Sequence, residues 1–497
     1  MALKNILFRK RSIYLLIATH CFAGSNHVHA TEPNKSYPST PFAAFSSQMQ
    51  DALLKHSQYE KPAWNLHDTL ALPDWLSLSI DQRSRYESMD GTFKANSKGG
   101  DQQIPLQTTL WLQAKLGAFR IGTEFMDSRA LHADSGSGVN ANQADQADFL
   151  QGYVAWAEQN LGGSGLGAEV VAGRQTLLFG AGRLVSRNVF RNTINSFTGL
   201  RLRVLSDKHW QFNSFLTMPV LRYPNAAVNI LNDVHQWDKE DTNTLFSGGV
   251  LELYNLAWGI SSELYLYHLE EGDSVGNQTR NRHYFTPGVR FYSKPAKGKI
   301  DAQLETIGQF GTVRATNAIT DDRNLDHTAW SQFFSLGYTF DTPWSPRLGV
   351  EYSYASGDNN PHDNTDQRFD QLYGDNGADF APTGIYNAFV RTNINAPGYI
   401  ITASPRANVK TTLKHRAFWL ASASDSWGNT GLQDKTGQSG DFVGHQLEIS
   451  TRWDFNSSLS FDTGWTHLFK GQFAAQAPLA PNAQDIDYFY VQSLLRF

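Results

Sequence analysis

Apolar and polar positions alternate along most of the chain from Trp75 onward, in segments of about 9–14 residues, the length of a tilted membrane-spanning strand. In WLSLSIDQRSRYE, Leu76, Leu78 and Ile80 fall on one face, and Ser77, Ser79, Asp81, Arg83 and Arg85 on the other. The same period of two recurs in PLQTTLWLQAKL, FRIGTEFMDSR, FLQGYVAWAEQ, EVVAGRQ, TGLRLRVL, WQFNSFLTM, LFSGGVLELY and WGISSELYLYHL. It continues through RHYFTPGVRFYS, KIDAQLETIGQF, WSQFFSLGYTF, RLGVEYSYAS, GYIITAS, NVKTTLKHRAFWL, VGHQLEISTRWDF, SLSFDTGWTHLF and DYFYVQSLLRF. These are eighteen segments, an even number, as a closed up-and-down barrel needs when both ends lie on one side. The connections alternate long and short, with short ones such as 116–119, 255–256, 341–344 and 454–456 between long polar stretches such as 221–243 and 357–397. The pattern predicts an all-β fold: a closed antiparallel transmembrane β-barrel of about 18 strands, with long extracellular loops and short periplasmic turns.

The amino terminus is different. Lys4, Arg9, Lys10 and Arg11 precede the apolar run Ser12 to Ala23, and Val28-His29-Ala30 offers small residues ahead of Thr31. This predicts a secretory signal peptide over 1–30, a periplasmic tail over 31–74 with one helix-like patch, and a barrel over 75–497. The tail patch has a second reading as a small plug or a docking helix for a periplasmic scaffold. The one cysteine, Cys21, falls inside the leader. His20 stands where a lipoprotein signal wants Gly or Ala, so the mature chain is expected to carry no thiol chemistry and no disulfides.

Composition narrows the classes. A net charge of −5 and a pI near 6.3 speak against a nucleic-acid partner. Mean hydropathy is −0.42, and no run approaches the ~18–20 apolar residues of a spanning helix. The 31 Phe, 19 Tyr, 13 Trp and 40 Gly suit a large all-β protein. The last strand ends on Phe497, with Val491, Ser493 and Leu495 on the same face. In outer-membrane proteins a terminal aromatic strand both closes the ring and addresses the barrel-assembly machinery. Outer-membrane lipid and lipopolysaccharide are therefore expected partners.

Candidate chemistry concentrates in Gly173–Arg203, which holds Arg174, Arg183, Arg187, Arg191, Arg201 and Arg203 and no Asp or Glu. In TGLRLRVL, Leu200, Leu202 and Val204 oppose Arg201 and Arg203, the pattern of a strand between lipid and a watery lumen. Carrying the alternation along the chain points Arg83, Arg85, Lys115, Arg174, Arg201, Arg203, Arg290, Arg347, Lys410, Lys414, Arg416, Arg452 and Arg496 inward. The acids read as inward are fewer: Asp81, Glu124, Glu252, Glu263, Glu351, Glu448 and Asp462. An excess of cations in a narrow aqueous path concentrates anions. The alternative is that these arginines are structural, each paired with a carboxylate.

The loop Thr176 to Phe197 is read either as an inward constriction or as a strap over the rim. Tyr265, Tyr267, Tyr284 and Tyr292 are read as inward, either as sugar platforms beside arginines or as space filling. Asp358, Asp363 and Asp366 offer hard oxygen ligands to Ca²⁺, although without a defined ligand loop a solvated or lipopolysaccharide-bridging surface is the preferred reading. His209, His268, His415, His445 and His467 lie on predicted strands, with no His–Ser pairing motif among them, so no enzymatic activity is expected.

Several motifs resemble the alginate-export family of outer-membrane porins: GRQTLLFGAGRLV (173–185), FTGLRLRV (197–204), RLGVEYSYASGDNNP (347–361), RFDQLYG (368–374), PTGIYNAF (382–389), FWLASASDSWGNTG (418–431), and GHQLEI through THLFKGQF (444–473). The resemblance covers nearly the whole mature chain. It implies an eighteen-stranded barrel in the outer membrane of a Gram-negative bacterium, with an electropositive, arginine-lined constriction that exports a polyuronate. By motif match, Arg174, Arg201, Arg203, Arg347 and Lys470 are the positions carried over as lining that path; Arg85 and Glu351 join them from the alternation, and Arg183, Arg187 and Arg191 from the loop Thr176 to Phe197. The expected solute is an anionic saccharide such as alginate or another uronate, and no cofactor is expected. A general small organic-anion porin is the alternative, and a barrel enzyme or surface adhesin the more distant one.

Overall fold

Within a bilayer each backbone N–H and C=O must find a partner in the chain itself, which for strands means a ring without edges. The computed structural model describes residues 62–497 apart from 98, 135–136, 189, 207–208, 274–276, 378 and 381. The predicted signal peptide and most of the predicted tail lie outside the described residues.

The strands are β1 (Leu76–Asp90), β2 (Asp101–Leu116), β3 (Phe119–Leu131), β4 (Asp145–Glu158), β5 (Leu166–Gln175), β6 (Phe197–Ser206), β7 (Trp210–Leu221), β8 (Lys239–Glu240), β9 (Thr244–Leu253) and β10 (Ser261–Glu271). They continue as β11 (His283–Tyr292), β12 (Lys299–Arg314), β13 (Asn324–Thr339), β14 (Arg347–Ala355), β15 (Thr365–Asp366), β16 (Ile394–Arg406), β17 (Val409–Trp419), β18 (Phe442–Asp454), β19 (Leu459–Lys470) and β20 (Ile486–Arg496). β8 and β15 are two-residue strands inside long loops: β8 pairs with the end of β7, and β15 runs parallel to β13 at Asp326 and His327. The other eighteen pair antiparallel, each with its neighbour, and β20 returns to β1 from Asp81↔Arg496 to Asp90↔Asp487. The ring is closed and antiparallel with eighteen strands, as the alternation predicts. No helix among the described residues is long and apolar enough to cross a membrane.

Outward positions carry the apolar face: Leu200 and Leu202 on β6, Leu216 on β7, Leu264 and Leu266 on β10, Val350 on β14 and Val491 on β20 are all exposed. Several strands reach further than the alternation, notably β13, which begins at Asn324 rather than Trp330, and β16, which begins at Ile394 rather than Gly398. These extensions lie toward the long loops, where lipid no longer selects apolar residues on one face, so the period of two fades while backbone pairing continues.

At the end bearing the short turns, the last residues of the predicted tail fasten the seam. Trp64 N–H donates to Ser458 Oγ at 2.8 Å, and the Trp64 ring stacks on Phe497 with centroids 6.5 Å apart. Phe497 and Ile80 exchange both backbone hydrogen bonds, at 2.9 and 3.2 Å. The terminal aromatic is thus fixed on the first strand and covered from the tail side.

A charge placed on the lipid face tests the sidedness of β6. Leu202→Arg should cost about 2–4 kcal/mol if it lies near the bilayer midplane, read as a lower urea midpoint for barrel unfolding in lipid vesicles.

Candidate functional site

Long loops between outward strands should be polar, yet the segment 176–196 carries Leu177, Leu178, Phe179, Leu184 and Val185, and these are buried. The reason is that the loop folds into the lumen. Phe179 stacks on inward Phe215 with centroids 5.2 Å apart, and Leu177, Leu184 and Val185 join a cluster with Phe197, Phe246, Tyr265, Tyr267 and Tyr284. Gly180 adopts φ +60°, and a Cβ there would meet the Glu263 carboxylate at 2.9 Å. Each aromatic side chain so buried contributes roughly 1.5–3 kcal/mol, which offsets the ordering of a long loop.

A second loop, 356–393, enters from the other side. Ile385 N–H donates to Glu87 of β1 at 2.7 Å, Tyr386 OH donates to Gln446 of β18 at 2.8 Å, and Gln309 of β12 exchanges hydrogen bonds with the Asp370 backbone at 2.8 and 2.9 Å. The two loops meet in backbone hydrogen bonds: Tyr373 N–H to Leu184 C=O at 2.9 Å and Ser186 N–H to Tyr373 C=O at 3.1 Å.

The predicted arginines fall into three settings. In the first loop, Arg183 grips Asp379 through two nitrogens, at 2.8 and 3.1 Å, and reaches Glu305 of β12 at 2.6 Å. Arg187 binds Glu124 of β3 at 2.5 and 3.1 Å. Arg191 donates to Thr193 C=O and Asn195 Oδ1. On the wall, Arg85 pairs with Glu87 at 2.5 Å and lies 4.0 Å over the Phe190 ring; Arg347 binds Asp301 through two nitrogens; Glu351 pairs with Arg416. At the extracellular rim, Lys470 Nζ donates to Thr92 C=O at 2.6 Å and Asn482 C=O at 2.9 Å, tying two loops.

One expectation is corrected. Arg174 does not point inward. On β5 the inward residues are Glu169, Val171 and Gln175, all buried, whereas Val170 is exposed and Arg174 shares its parity. Arg174 bonds Glu240 at 2.7 Å together with Thr198 on the same outer face. In EVVAGRQ apolar residues occupy both parities, so the frame could not be read, and a slip of one residue reverses each side chain. Asp358, Asp363 and Asp366 do not converge: each accepts from a backbone N–H two residues on, and Asp366 pairs with Arg280 at 2.8 Å. Among the described residues no cluster suited to a metal occurs. The inward tyrosines are buried; Tyr265 donates to Glu305 at 2.7 Å, and Tyr284 donates to Asp370.

Sequence reasoning missed the partners. Glu87, Glu169, Asp301 and Glu305 are inward and buried, so the lumen is far more balanced than the list of cations implied. The signal for Glu169 was its odd-numbered parity with Gln175. Outside the strands, burial alone would raise Asp379 and Asp370, but Arg183 and Arg391 draw the first below the carboxylate range and Arg282 draws the second to about 2. Both folded values lie below the unfolded one near 4. These contacts therefore stabilise fully above that pH and fade as pH falls toward 2.

One patch departs from balance. Arg201 of β6 donates to Glu169 at 2.9 Å, Arg120 of β3 reaches the same carboxylate at 3.3 Å, and Arg203 approaches it at 3.9 Å. Arg120 crosses β4 because its neighbour there is Ala155. Three guanidinium groups on one carboxylate leave two positive charges in excess. Arg120 and Arg201 border a lumen-facing pocket with Gln113, Gln151, Gln175, Tyr153 and Thr176. Tyr153 lies over Gly122, where a Cβ would approach its ring to 2.7 Å.

Residues 74–483 match the family described as "Alginate export". The chain belongs to the alginate-export family. It is an outer-membrane β-barrel channel, and its fold is that of solved channels of low identity. Acinetobacter baumannii OccAB1 aligns with a TM-score of 0.55 at 11% identity, covering 85% of this chain and 96% of that one. Pseudomonas aeruginosa OccD3 (OpdP) aligns at 0.53 and 13%, covering 85% and 91%. Pseudomonas aeruginosa OpdK, solved with vanillate, aligns at 0.53 and 10%, covering 85% and 98%. The comparison with curated proteins gave no match. For this family member the balanced ion pairs and the one unbalanced patch are distinct parts of the lumen.

Arg290 and Glu263 face each other across β10 and β11 with neither side chain exposed. Glu263→Gln should destabilise by about 3–5 kcal/mol, and the double change Glu263→Leu with Arg290→Met should recover most of it, read from urea midpoints.

Proposed function

We propose that the channel passes an anionic saccharide, a uronate oligomer of the alginate type, or another organic anion along the β2–β6 wall. The observation that carries this reading is the sharing of Glu169 by Arg120, Arg201 and Arg203. The excess charge lies inside low-dielectric walls, where the field on a passing anion is focused. Arg201 Nη1 and Arg203 Nε have no hydrogen-bond partner among the described residues, so donors remain for a carboxylate. The three glutamines and Tyr153 add neutral donors and acceptors suited to hydroxyls.

Arg183, Arg187, Arg347 and Arg85 serve the path differently. Each is held by a carboxylate, and they shape the lumen rather than present net charge. Arg174 and Lys470 stand at the rim and tie segments together. The role is transport; membership of the family and the vanillate-bound OpdK barrel both support carriage of small acidic solutes over catalysis.

Reversal potentials across planar bilayers under a KCl gradient test the reading. The double change Arg201→Gln with Arg203→Gln should roughly halve the chloride-over-potassium preference and weaken current block by mannuronate oligomers, while maltotriose has no effect on either protein. An unchanged reversal potential would sink the assignment.

A further inference from the structure

Loops 176–196 and 356–393 turn into the lumen, whereas the long loop after β7 folds back over the outside of the wall. Asp233 Oδ1 accepts from Arg129 Nη1 of β3 at 3.3 Å and from Gln146 Nε2 of β4 at 3.0 Å. His235 Nε2 lies 3.2 Å from Ala147 C=O, and Asp238 N–H donates to Asp148 Oδ2 at 2.5 Å. The Trp237 ring stacks on Phe149 of β4, with centroids 6.2 Å apart and planes 12° from parallel. Glu240, on β8, then holds Arg174 on the outer face.

The height of these contacts on the wall can be read from β3. Phe119, Ile121 and Phe125 share its outward parity, and beyond them Asp127 and Arg129 of the same parity are polar and paired at 2.9 Å. Phe125 is opposite Phe149 in the strand register, and their rings meet edge to face with centroids 5.8 Å apart. Phe149 is half exposed. Phe125 and Phe149 therefore mark the extracellular edge of the lipid-facing belt on these two strands. Trp237 covers Phe149 at that edge, and Asp233 is fixed to Arg129 just beyond it.

The loop is two-faced at that place. A one-turn helix (Ala227–Leu231) packs Ile230 onto Val139 and Ala144, while Val228, Leu231, Val234 and Trp237 are 63, 47, 42 and 54% exposed. Large apolar side chains gathered in so short a stretch of an extracellular loop are costly in water. A tryptophan beside a small apolar face, with polar ties on the other side, is the make-up of an element lying at a membrane surface.

We propose that residues 227–237 form an interfacial anchor, in which Val228, Leu231, Val234 and Trp237 rest among the acyl chains of the outer leaflet and extend the lipid-facing belt beyond the ends of β3 and β4. Lipid is the occupant because the patch continues a surface that already faces lipid and is stacked on one of its rings. The bonds of Asp233, His235 and Asp238 to the wall hold the apolar face at one height. The anchor thereby fixes how deeply this side of the barrel sits in the bilayer.

Fluorescence quenching on the full barrel in dioleoyl phosphatidylcholine vesicles tests the anchor. Leu231→Cys and Val234→Cys, each made in a chain with Cys21→Ser, carry a bimane label; Val154→Cys on the outward face of β4 and His362→Cys on an exposed loop position serve as references. A lipid bearing a nitroxide near the top of its acyl chain should quench the labels at 231 and 234 to at least about half the extent seen at 154, as burial to the headgroup and acyl boundary requires, and should leave 362 bright. Iodide in the water should quench 362 and spare the other three. Either position decides alone if the other variant does not give the heat-modifiable gel migration of a folded barrel. Quenching of 231 and 234 by iodide and not by the lipid nitroxide overturns the proposal. Shielding from both quenchers that grows with the protein-to-lipid ratio also overturns it, and assigns the patch to contact between copies of the chain.

Discussion

A guanidinium group withdrawn from water has to be met by a carboxylate, and the interior of this barrel is arranged around that demand. Arg85 with Glu87, Arg187 with Glu124, Arg290 with Glu263, Arg347 with Asp301 and Arg416 with Glu351 are pairs between inward positions or between a loop and the wall. The pairs orient one another and leave little net charge. Net charge is left only where pairing is incomplete. The Glu169 patch is such a place, with three cations on one anion.

The closed ring makes this arrangement possible. Eighteen strands enclose more space than their own side chains fill, and the loops 176–196 and 356–393 occupy part of it with an apolar cluster that would be exposed in an open sheet. The aromatic residues inside give those loops a definite seat, and the ion pairs give them a register.

Much of the architecture was legible in order along the chain. In β6 and the first half of β1 one parity is apolar and the other polar, so both strand and facing could be read, and Arg201, Arg203, Arg83 and Arg85 were placed inward as they lie. β5 was not legible: Val170 and Val171 are both apolar, Gly173 has no side chain to mark a face, and Arg174 was assigned to the wrong side. The inward course of the first long loop had a signal in Leu177-Leu178-Phe179 and Leu184-Val185, apolar residues where an outer loop should be polar. Ile385, Tyr386 and Phe389 carried the same signal for the second loop.

Local alternation and loop length alone determined that the chain forms a closed membrane barrel, which residues face lipid, and that arginines gather within. Those properties depend on neighbours in sequence, because the bilayer imposes a period of two on every spanning strand. Which arginine keeps free charge was decided only by the tertiary structure. Arg201 meets Glu169 from the adjacent strand, Arg120 reaches it across β4, and Arg183 meets Asp379, which lies 196 residues further along. Pair energies in a low-dielectric interior fall off over a few ångströms, and spatial proximity of that kind is set by ring closure and loop packing, not by order along the chain.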